Sequence, residues 1–138
     1  MKAYIDASVV LRIVFGEPEP LARWTEIEQP VSSELIRVEC LRGLERAQRI
    51  DRLNDLTVAS TRANLLAVLA TLQLIPIDGA VLERAAGSFP TLLGTLDAMH
   101  LASALAVQAQ LAPLTFATHD TELGLAARSV GFAVEGVA

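Results

Sequence analysis

Cysteine, aromatic residues and long apolar runs are scarce in this sequence, and each shortage excludes a class of protein. Cys40 is the only cysteine in 138 residues, so no disulfide can form within the chain, which fits a reducing cytoplasm. Aromatic residues make up 4% of the sequence, too few for a surface that stacks single-stranded bases. The longest apolar stretch, Leu65 to Ile77, is broken by polar residues and is too short for a membrane span. Asp6 interrupts the N-terminal apolar run, so no signal peptide is expected.

Charge is unevenly distributed along the chain. Sixteen Asp and Glu residues outnumber eleven Lys and Arg residues, and the net charge of −5 argues at first against a nucleic-acid partner. Lys2 is the only lysine, however, and five arginines fall between Arg37 and Arg52. The net charge therefore hides a basic segment. Whether this charge excludes a nucleic-acid partner depends on where the acidic residues lie.

Short extended runs alternate with longer helical ones. The predicted strands are Lys2–Asp6, Pro30–Ser32, Leu74–Ile77, Leu114–Thr118 and Phe132–Val137. The predicted helices are Ala7–Phe15, Leu21–Glu28, Glu34–Arg49 with Ser32 or Ser33 as its cap, a helical segment within Asp51–Leu72, Ala80–Ala86, Leu96–Gln110 with Thr95 as its cap, and Thr121–Ser129. Strands joined by helices of this length indicate a parallel sheet covered by helices on both faces. Ligands of such sheets bind beyond the carboxyl ends of the strands.

Four acidic residues lie at the ends of predicted elements or beside buried faces. Asp6 ends the first strand, and Asp120 follows the strand that ends at Thr118. Asp97 lies in the first turn of its helix, and Glu39 borders the apolar stripe of another. Each acid alone could equally be a turn or cap residue. Together, without His or Cys ligands, they suit a hard cation such as Mg²⁺ or Mn²⁺, and without a cation their charges would repel and some would be protonated.

Four short motifs carry a resemblance to a known family. They are Tyr4-Ile5-Asp6-Ala7-Ser8, Ser32-Ser33-Glu34-Leu35 through Val38-Glu39-Cys40-Leu41-Arg42, Leu96-Asp97-Ala98-Met99-His100-Leu101-Ala102, and Phe116-Ala117-Thr118-His119-Asp120. With these motifs in this order, the chain resembles the PIN-domain ribonucleases, and most closely the VapC-type toxins of bacterial toxin–antitoxin pairs. The resemblance runs nearly end to end. It implies a single PIN-like nuclease domain over residues 1–138, with a three-layer α/β/α fold and a central, mainly parallel sheet.

The resemblance also implies an activity and its residues. Asp6, Glu39, Asp97 and Asp120 are expected to form an acidic quartet around Mg²⁺, for which Mn²⁺ would substitute, and Ser8 is an accessory polar group on the substrate side. Asp6 and Asp97 are expected as primary metal ligands, with Asp120 and Glu39 completing the site through water or a second ion. The expected protein is an endoribonuclease that cleaves RNA phosphodiesters with metal-activated water. A cognate VapB-like antitoxin that blocks the site and a homodimer are also implied.

The arginines have two interpretations. Arg42 and Arg46 share one side of a predicted helix with Glu39, where guanidinium groups would grip the phosphates of an RNA substrate. The alternative is an ordinary solvated helix face. If a metal ion occupies the quartet, the remaining acids and bases are nearly balanced, so the net charge no longer excludes RNA.

Other polar residues near the motifs are assigned lesser roles. Ser8 caps the first helix or bonds to an acid, and Thr118 is a plain strand residue or orients water. His100 is expected at a surface or interface rather than in catalysis. His119 is not expected to be a general base, because neighbours at a strand end point in opposite directions.

Two rival functions are considered. A non-catalytic PIN-like module that binds RNA or protein would be favoured by the loss of a quartet acid, and none is lost. A phosphoacceptor signalling domain also collects acids at strand ends, but it needs a lysine at the end of a late strand. Lys2 is at the wrong place for that chemistry.

Overall fold

A five-stranded sheet in which every strand is parallel to its neighbours forms the centre of the computed structural model, which describes residues 1–138. Its strands are β1 (Lys2–Ile5), β2 (Gln29–Ser33), β3 (Gln73–Ile75), β4 (Thr115–Ala117) and β5 (Ala133–Glu135). Their order across the sheet is β3-β2-β1-β4-β5. The five predicted strands and their parallel arrangement are confirmed, with ends that differ by at most two residues.

Six helices connect the strands. They are α1 (Ala7–Val14), α2 (Leu35–Ile50), α3 (Asp55–Ala70), α4 (Gly79–Ala86), α5 (Thr95–Leu111) and α6 (Thr121–Ser129). None of them has the length and hydrophobicity that crossing a bilayer requires.

Alternation along β1 separates two hydrophobic cores. Ala3 and Ile5 point to one face of the sheet, where they pack with buried residues of α1, α2 and α3. Tyr4 points to the other face and packs with buried residues of α5 and α6. There its ring stacks on Phe116 of β4, with 5.1 Å between the ring centroids. Helices thus cover both faces of the sheet, and the predicted three-layer α/β/α architecture is confirmed.

The strand order reverses direction beside β1, and this reversal creates the crevice that matters for function. From β1 the chain proceeds outward through β2 to β3, and it then returns to add β4 on the other side of β1. The loops that leave the carboxyl ends of β1 and β4 therefore diverge, which opens a crevice between them. Asp6 follows β1 directly, and its backbone N–H donates to the Ala117 carbonyl oxygen of β4 at 3.0 Å.

Two local predictions are wrong. The segment Leu21–Glu28 contains only a single 3₁₀ turn at Trp24–Glu26, because a segment this short between two prolines gains too few hydrogen bonds to nucleate an α-helix. Thr95 does not cap α5. Gly94 is the N-cap in an extended conformation, and its carbonyl accepts the first helical hydrogen bond from Ala98.

Of the two serines predicted to cap α2, only Ser33 forms a hydrogen bond with the start of the helix. Glu34 occupies the N-cap position of α2 and makes no capping hydrogen bond with its side chain. The Ser33 hydroxyl oxygen accepts instead, from the Leu35 backbone N–H at 3.1 Å. The Ser32 hydroxyl is turned to the Ile5 carbonyl of β1 at 2.6 Å and takes no part in the helix start.

Gly136 allows the segment after β5 to approach the end of β4. Its φ of +103° is a left-handed conformation, and an added Cβ would collide with the Thr118 carbonyl oxygen. We expect Gly136→Ala to lower the free energy of unfolding by about 2–3 kcal/mol, measured by urea denaturation. Gly79→Ala is the control, because a Cβ there meets open space. Equal stability of the two variants would contradict the close approach.

Candidate active site

Asp6 is held in one orientation at the carboxyl end of β1. It is 5% exposed and is the N-cap of α1. Its Oδ2 accepts hydrogen bonds from the Ser8 hydroxyl at 2.6 Å, the Ser8 backbone N–H at 3.4 Å and the Thr118 hydroxyl at 2.9 Å. Its other oxygen, Oδ1, lies 4.0 Å from Nε2 of His100, beyond hydrogen-bond distance. One oxygen is therefore fully engaged within the protein, and the other keeps its lone pairs available.

Ser8 and Thr118 act on the acids. Ser8 does not cap α1, since Asp6 has that position; its hydroxyl bonds to the acid, which is the other predicted alternative. Thr118 is fully buried, and its hydroxyl oxygen also accepts the Asp120 backbone N–H at 3.0 Å. The Thr118 hydroxyl therefore connects the acid after β1 with the acid after β4. Residue spacing alone could not show this contact, which joins positions 112 residues apart.

Asp97 shows that the four acids share one electrostatic environment. It lies in the first turn of α5 and is partly buried. Burial is the largest cause that raises its pKa from 3.8 to about 6, and the negative charges of Asp120, Asp6 and Glu39 raise it further, against a smaller lowering by His100. The expected repulsion among the acids is thus present in the structure.

The remaining two acids of the quartet approach the site from α6 and α2. Asp120 is exposed and is the N-cap of α6, where its Oδ1 accepts the Leu123 backbone N–H at 3.1 Å. Glu39 of α2 has a side chain that is 19% exposed, and its Oε1 is hydrogen-bonded to Nε2 of His100. Each acid is thus attached to the start or the edge of a different helix, all around the same crevice.

His100 does not lie where the sequence predicts it. A surface or interface position is expected, but the residue is fully buried between Glu39 and the Tyr4 hydroxyl, which lies 2.7 Å from Nδ1. Burial opposes the charged ring, but the hydrogen bond and charge of Glu39, with Asp6 and Asp97, outweigh it and raise the His100 pKa. The sequence signal for burial is the uncharged run that follows Asp97 in α5, which is typical of a helix buried on all sides.

Arg42 and Arg46 are exposed on α2, whereas His119 is half-buried. Arg42 is exposed and forms an ion pair with Glu45 one turn further along α2, which Arg49 also approaches. Arg46 is exposed on the same helix. The His119 ring bonds through Nδ1 to the Gly136 carbonyl at 2.9 Å. These contacts agree with a solvated helix face for Arg42 and leave the phosphate role of Arg42 and Arg46 a prediction.

The donor chemistry of the quartet fits a hard divalent cation. Its side chains offer only carboxylate oxygens, and the charges of the other three acids add to burial in raising the pKa of Asp97. No three His, Cys, Asp or Glu side chains stand close enough to enclose an ion by themselves. A cation such as Mg²⁺, which usually keeps several waters and binds through one or two carboxylates, needs no such enclosure. The assignment of Asp6, Asp97 and Asp120 as its ligands stays a prediction.

Comparison with known proteins places this arrangement in a family. The model of the PIN domain family matches residues 3–128. The chain belongs to the PIN-domain family. Two curated proteins of Mycobacterium tuberculosis match this PIN domain over most of its length. Ribonuclease VapC46 (strain ATCC 25618 / H37Rv) is 37% identical over 134 residues, covering 95% of this chain and 94% of the relative. Ribonuclease VapC47 (strain CDC 1551 / Oshkosh) is 31% identical over 136 residues, covering 94% and 92%. The resemblance to VapC-type PIN ribonucleases is confirmed.

The Asp97 carboxyl predicts how the stability of the metal-free PIN domain depends on pH. A folded-state pKa of about 6 lies above the ordinary 3.8, so ionisation of Asp97 costs stability in the folded state. This cost is absent below pH 3.8 and is complete above pH 6. As the pH rises from 3.8 to 6, the free energy of unfolding of Asp97→Asn should increase relative to that of the wild type. The expected increase is about 1–2 kcal/mol, after allowance for solvent screening.

Urea denaturation in EDTA at pH 4 to 7 measures this difference. Asp51→Asn is the matched control, because Asp51 is an exposed acid at the end of α2, away from the quartet. Its stability difference from the wild type should stay constant over the same range. A constant difference for Asp97→Asn as well would contradict the electrostatic coupling of the acids.

Proposed function

We propose that this PIN domain, spanning residues 1–138, is a divalent-metal-dependent endoribonuclease and the toxin of a toxin–antitoxin pair. The observation that supports it most is the coupling of Asp97 to Asp120, Asp6 and Glu39 in the crevice beside β1. The proposal assigns all four acids of the predicted quartet to this crevice. The names of the two ribonuclease relatives support RNA as the substrate.

Asp6, Asp97 and Asp120 would hold the cation, with Glu39 completing the site, and Mg²⁺ is the ion proposed, with Mn²⁺ as a substitute. When bound, a divalent cation neutralises charge on a phosphodiester and activates water for attack. The donors from Ser8 and Thr118 hold Asp6 Oδ2, so its carboxylate presents Oδ1 in one orientation. Such preorganisation removes the cost of orienting the group when substrate arrives.

Asp97 supplies the second fixed carboxylate. Its place in the first turn of α5 sets its direction, and near pH 6 it exchanges a proton with solvent. Below that pH the neutral carboxyl is a poor ligand for a hard cation. Binding of a cation is therefore expected to weaken as the pH falls below about 6.

A cognate VapB-like antitoxin is proposed to block this crevice. The quartet is a concentration of negative charge, and an inserted guanidinium of the antitoxin would pair with its carboxylates in place of the cation. A homodimer that brings two such crevices side by side is part of the same proposal. Size-exclusion chromatography with light scattering, with and without antitoxin, tests both.

A cleavage assay tests the proposal directly. The purified chain is incubated with structured and single-stranded RNA in Mg²⁺, in Mn²⁺ and in EDTA, and the products are mapped. Cleavage in either metal ion that EDTA abolishes is the expected result. RNA that is bound but left intact in every condition would favour the non-catalytic binding module instead.

Arg42 and Arg46 are proposed to contact RNA phosphates beside Glu39. Replacing both by alanine should weaken RNA binding and reduce the slope of log affinity against log salt by about one for each phosphate that the variant no longer neutralises. Fluorescence anisotropy with the inactive Asp97→Asn background measures the slope without cleavage. Arg84→Ala is the control, because Arg84 of α4 lies over the ring of Phe89 and not on α2. An unchanged slope in the double variant would assign both arginines to the solvated face.

A further inference from the structure

A chain of hydrogen bonds runs from β2 through Tyr4 and His100 to Glu39. The Ser33 backbone N–H donates to the Tyr4 hydroxyl oxygen at 3.1 Å. The same hydroxyl lies 2.7 Å from Nδ1 of His100, and either group can donate this hydrogen bond, depending on the ring tautomer. An Nδ1 that accepts leaves the ring proton on Nε2, which faces Glu39 Oε1. A Tyr4 O–H that donates to Nδ1 would select the tautomer of His100 that can donate to Glu39.

We propose that His100 is a positioning residue of this site, which holds the Glu39 carboxylate toward Asp6 through an Nε2–H that Tyr4 keeps in place. The inference rests on the proposed function and deepens it, since Glu39 is one of the four acids assigned there. His100 Nε2 is also 4.0 Å from Asp6 Oδ1, so the same N–H lies between two like charges and reduces their repulsion.

The surroundings of the ring support a positioning role over simple core filling. His100 and Tyr4 are both fully buried, whereas Glu39 retains access to solvent. The chain of hydrogen bonds thus starts at rigid backbone and ends at the one group in it that can reach a ligand. It also joins α5, which packs on one face of the sheet, to α2, which packs on the other. An apolar side chain of equal size would fill the space and leave Glu39 without this donor.

Nuclear magnetic resonance of the wild-type protein tests the hydrogen-bond direction without any activity. Two-bond ¹H–¹⁵N correlations of the His100 ring report which nitrogen carries the proton. We expect Nε2 to be protonated at every pH at which the protein is folded, because the neutral tautomer selected by Tyr4 and the charged ring both carry that proton. An unprotonated Nε2 would overturn the inference.

Kinetics of three variants test the positioning role. His100→Leu should lower kcat for RNA cleavage about 10- to 100-fold, the range typical for a group that orients a metal-site ligand, with KM changed less than about twofold. His100→Gln should recover most of that loss, because its amide N–H can donate to Glu39. Leu101→Val, a buried change on the same helix that does not touch Glu39, controls for loss of packing and should keep the wild-type kcat.

The outcomes separate the two proposals. A His100→Gln variant as slow as His100→Leu, or a Leu101→Val variant equally slow, overturns the positioning role and leaves the nuclease intact. If the wild type cleaves no RNA, the proposed function fails, and the resonance measurement still decides whether His100 donates to Glu39.

Discussion

Purified Asp97→Asn protein is expected to cleave RNA at least about 100-fold more slowly than the wild type, and Asp6→Asn is expected to do the same. Asparagine keeps the size of each side chain but removes the charge that a hard cation requires. In Asp6→Asn one carbonyl oxygen remains to accept from Ser8 and Thr118, so the local hydrogen bonds survive. The loss of rate should therefore come without loss of the fold.

Thermal unfolding with and without Mg²⁺ checks that interpretation. Mg²⁺ should raise the melting temperature of the wild type, because a ligand that binds only the folded state stabilises it. Neither Asn variant should respond to the same concentrations. Asp51→Asn is again the control and should behave as the wild type in both assays. Full cleavage by both Asn variants, or undiminished cleavage in EDTA, would contradict metal-dependent catalysis at this site.

Growth arrest on expression of the chain alone is the second large effect that we expect. A nuclease turns over, so a small number of active molecules would degrade many RNA molecules. Asp6→Asn or Asp97→Asn should relieve the arrest completely, and co-expression of an antitoxin that covers the acidic quartet should relieve it as well. Colony counts and growth curves after induction measure the effect.

The comparison must be made at equal soluble levels of wild type and variants, measured by immunoblot of the soluble fraction. A harmless wild type whose purified form cleaves RNA would remove the toxin assignment and keep the nuclease. Arrest by the Asn variants at the wild-type level would show that toxicity arises elsewhere on the protein, and it would favour a binding module.

The sheet and the location of the acids were predictable because they depend on local patterns. Short apolar runs separated by helices require parallel connections, and parallel strands collect their carboxyl ends at one edge. The positions of Asp6 and Asp120 after β1 and β4 follow directly. The helix predicted at Leu21–Glu28 is absent, because helix propensity alone does not stabilise a segment this short. Most short helices also need packing partners.

The support of the acids was not predictable, because it is made by contacts between distant parts of the chain. Tyr4 meets His100 across 96 residues, and His100 meets Glu39 across 61. The uncharged run after Asp97 signals burial of His100, but it does not show which groups the ring contacts. Thr118 likewise has the sequence signature of an ordinary strand residue, and only the pairing of β1 with β4 brings its hydroxyl to Asp6.

The central position of β1 has a consequence during translation. The first strand leaves the ribosome early, but one of its two partners, β4, follows only after residue 114. Until then Asp6 lacks the hydroxyl of Thr118, and Asp120 is not yet present. β1, α1, β2 and α2 are all synthesised well before β4, which completes the crevice. Any activity that requires the complete crevice therefore begins only after the chain has been synthesised past Asp120.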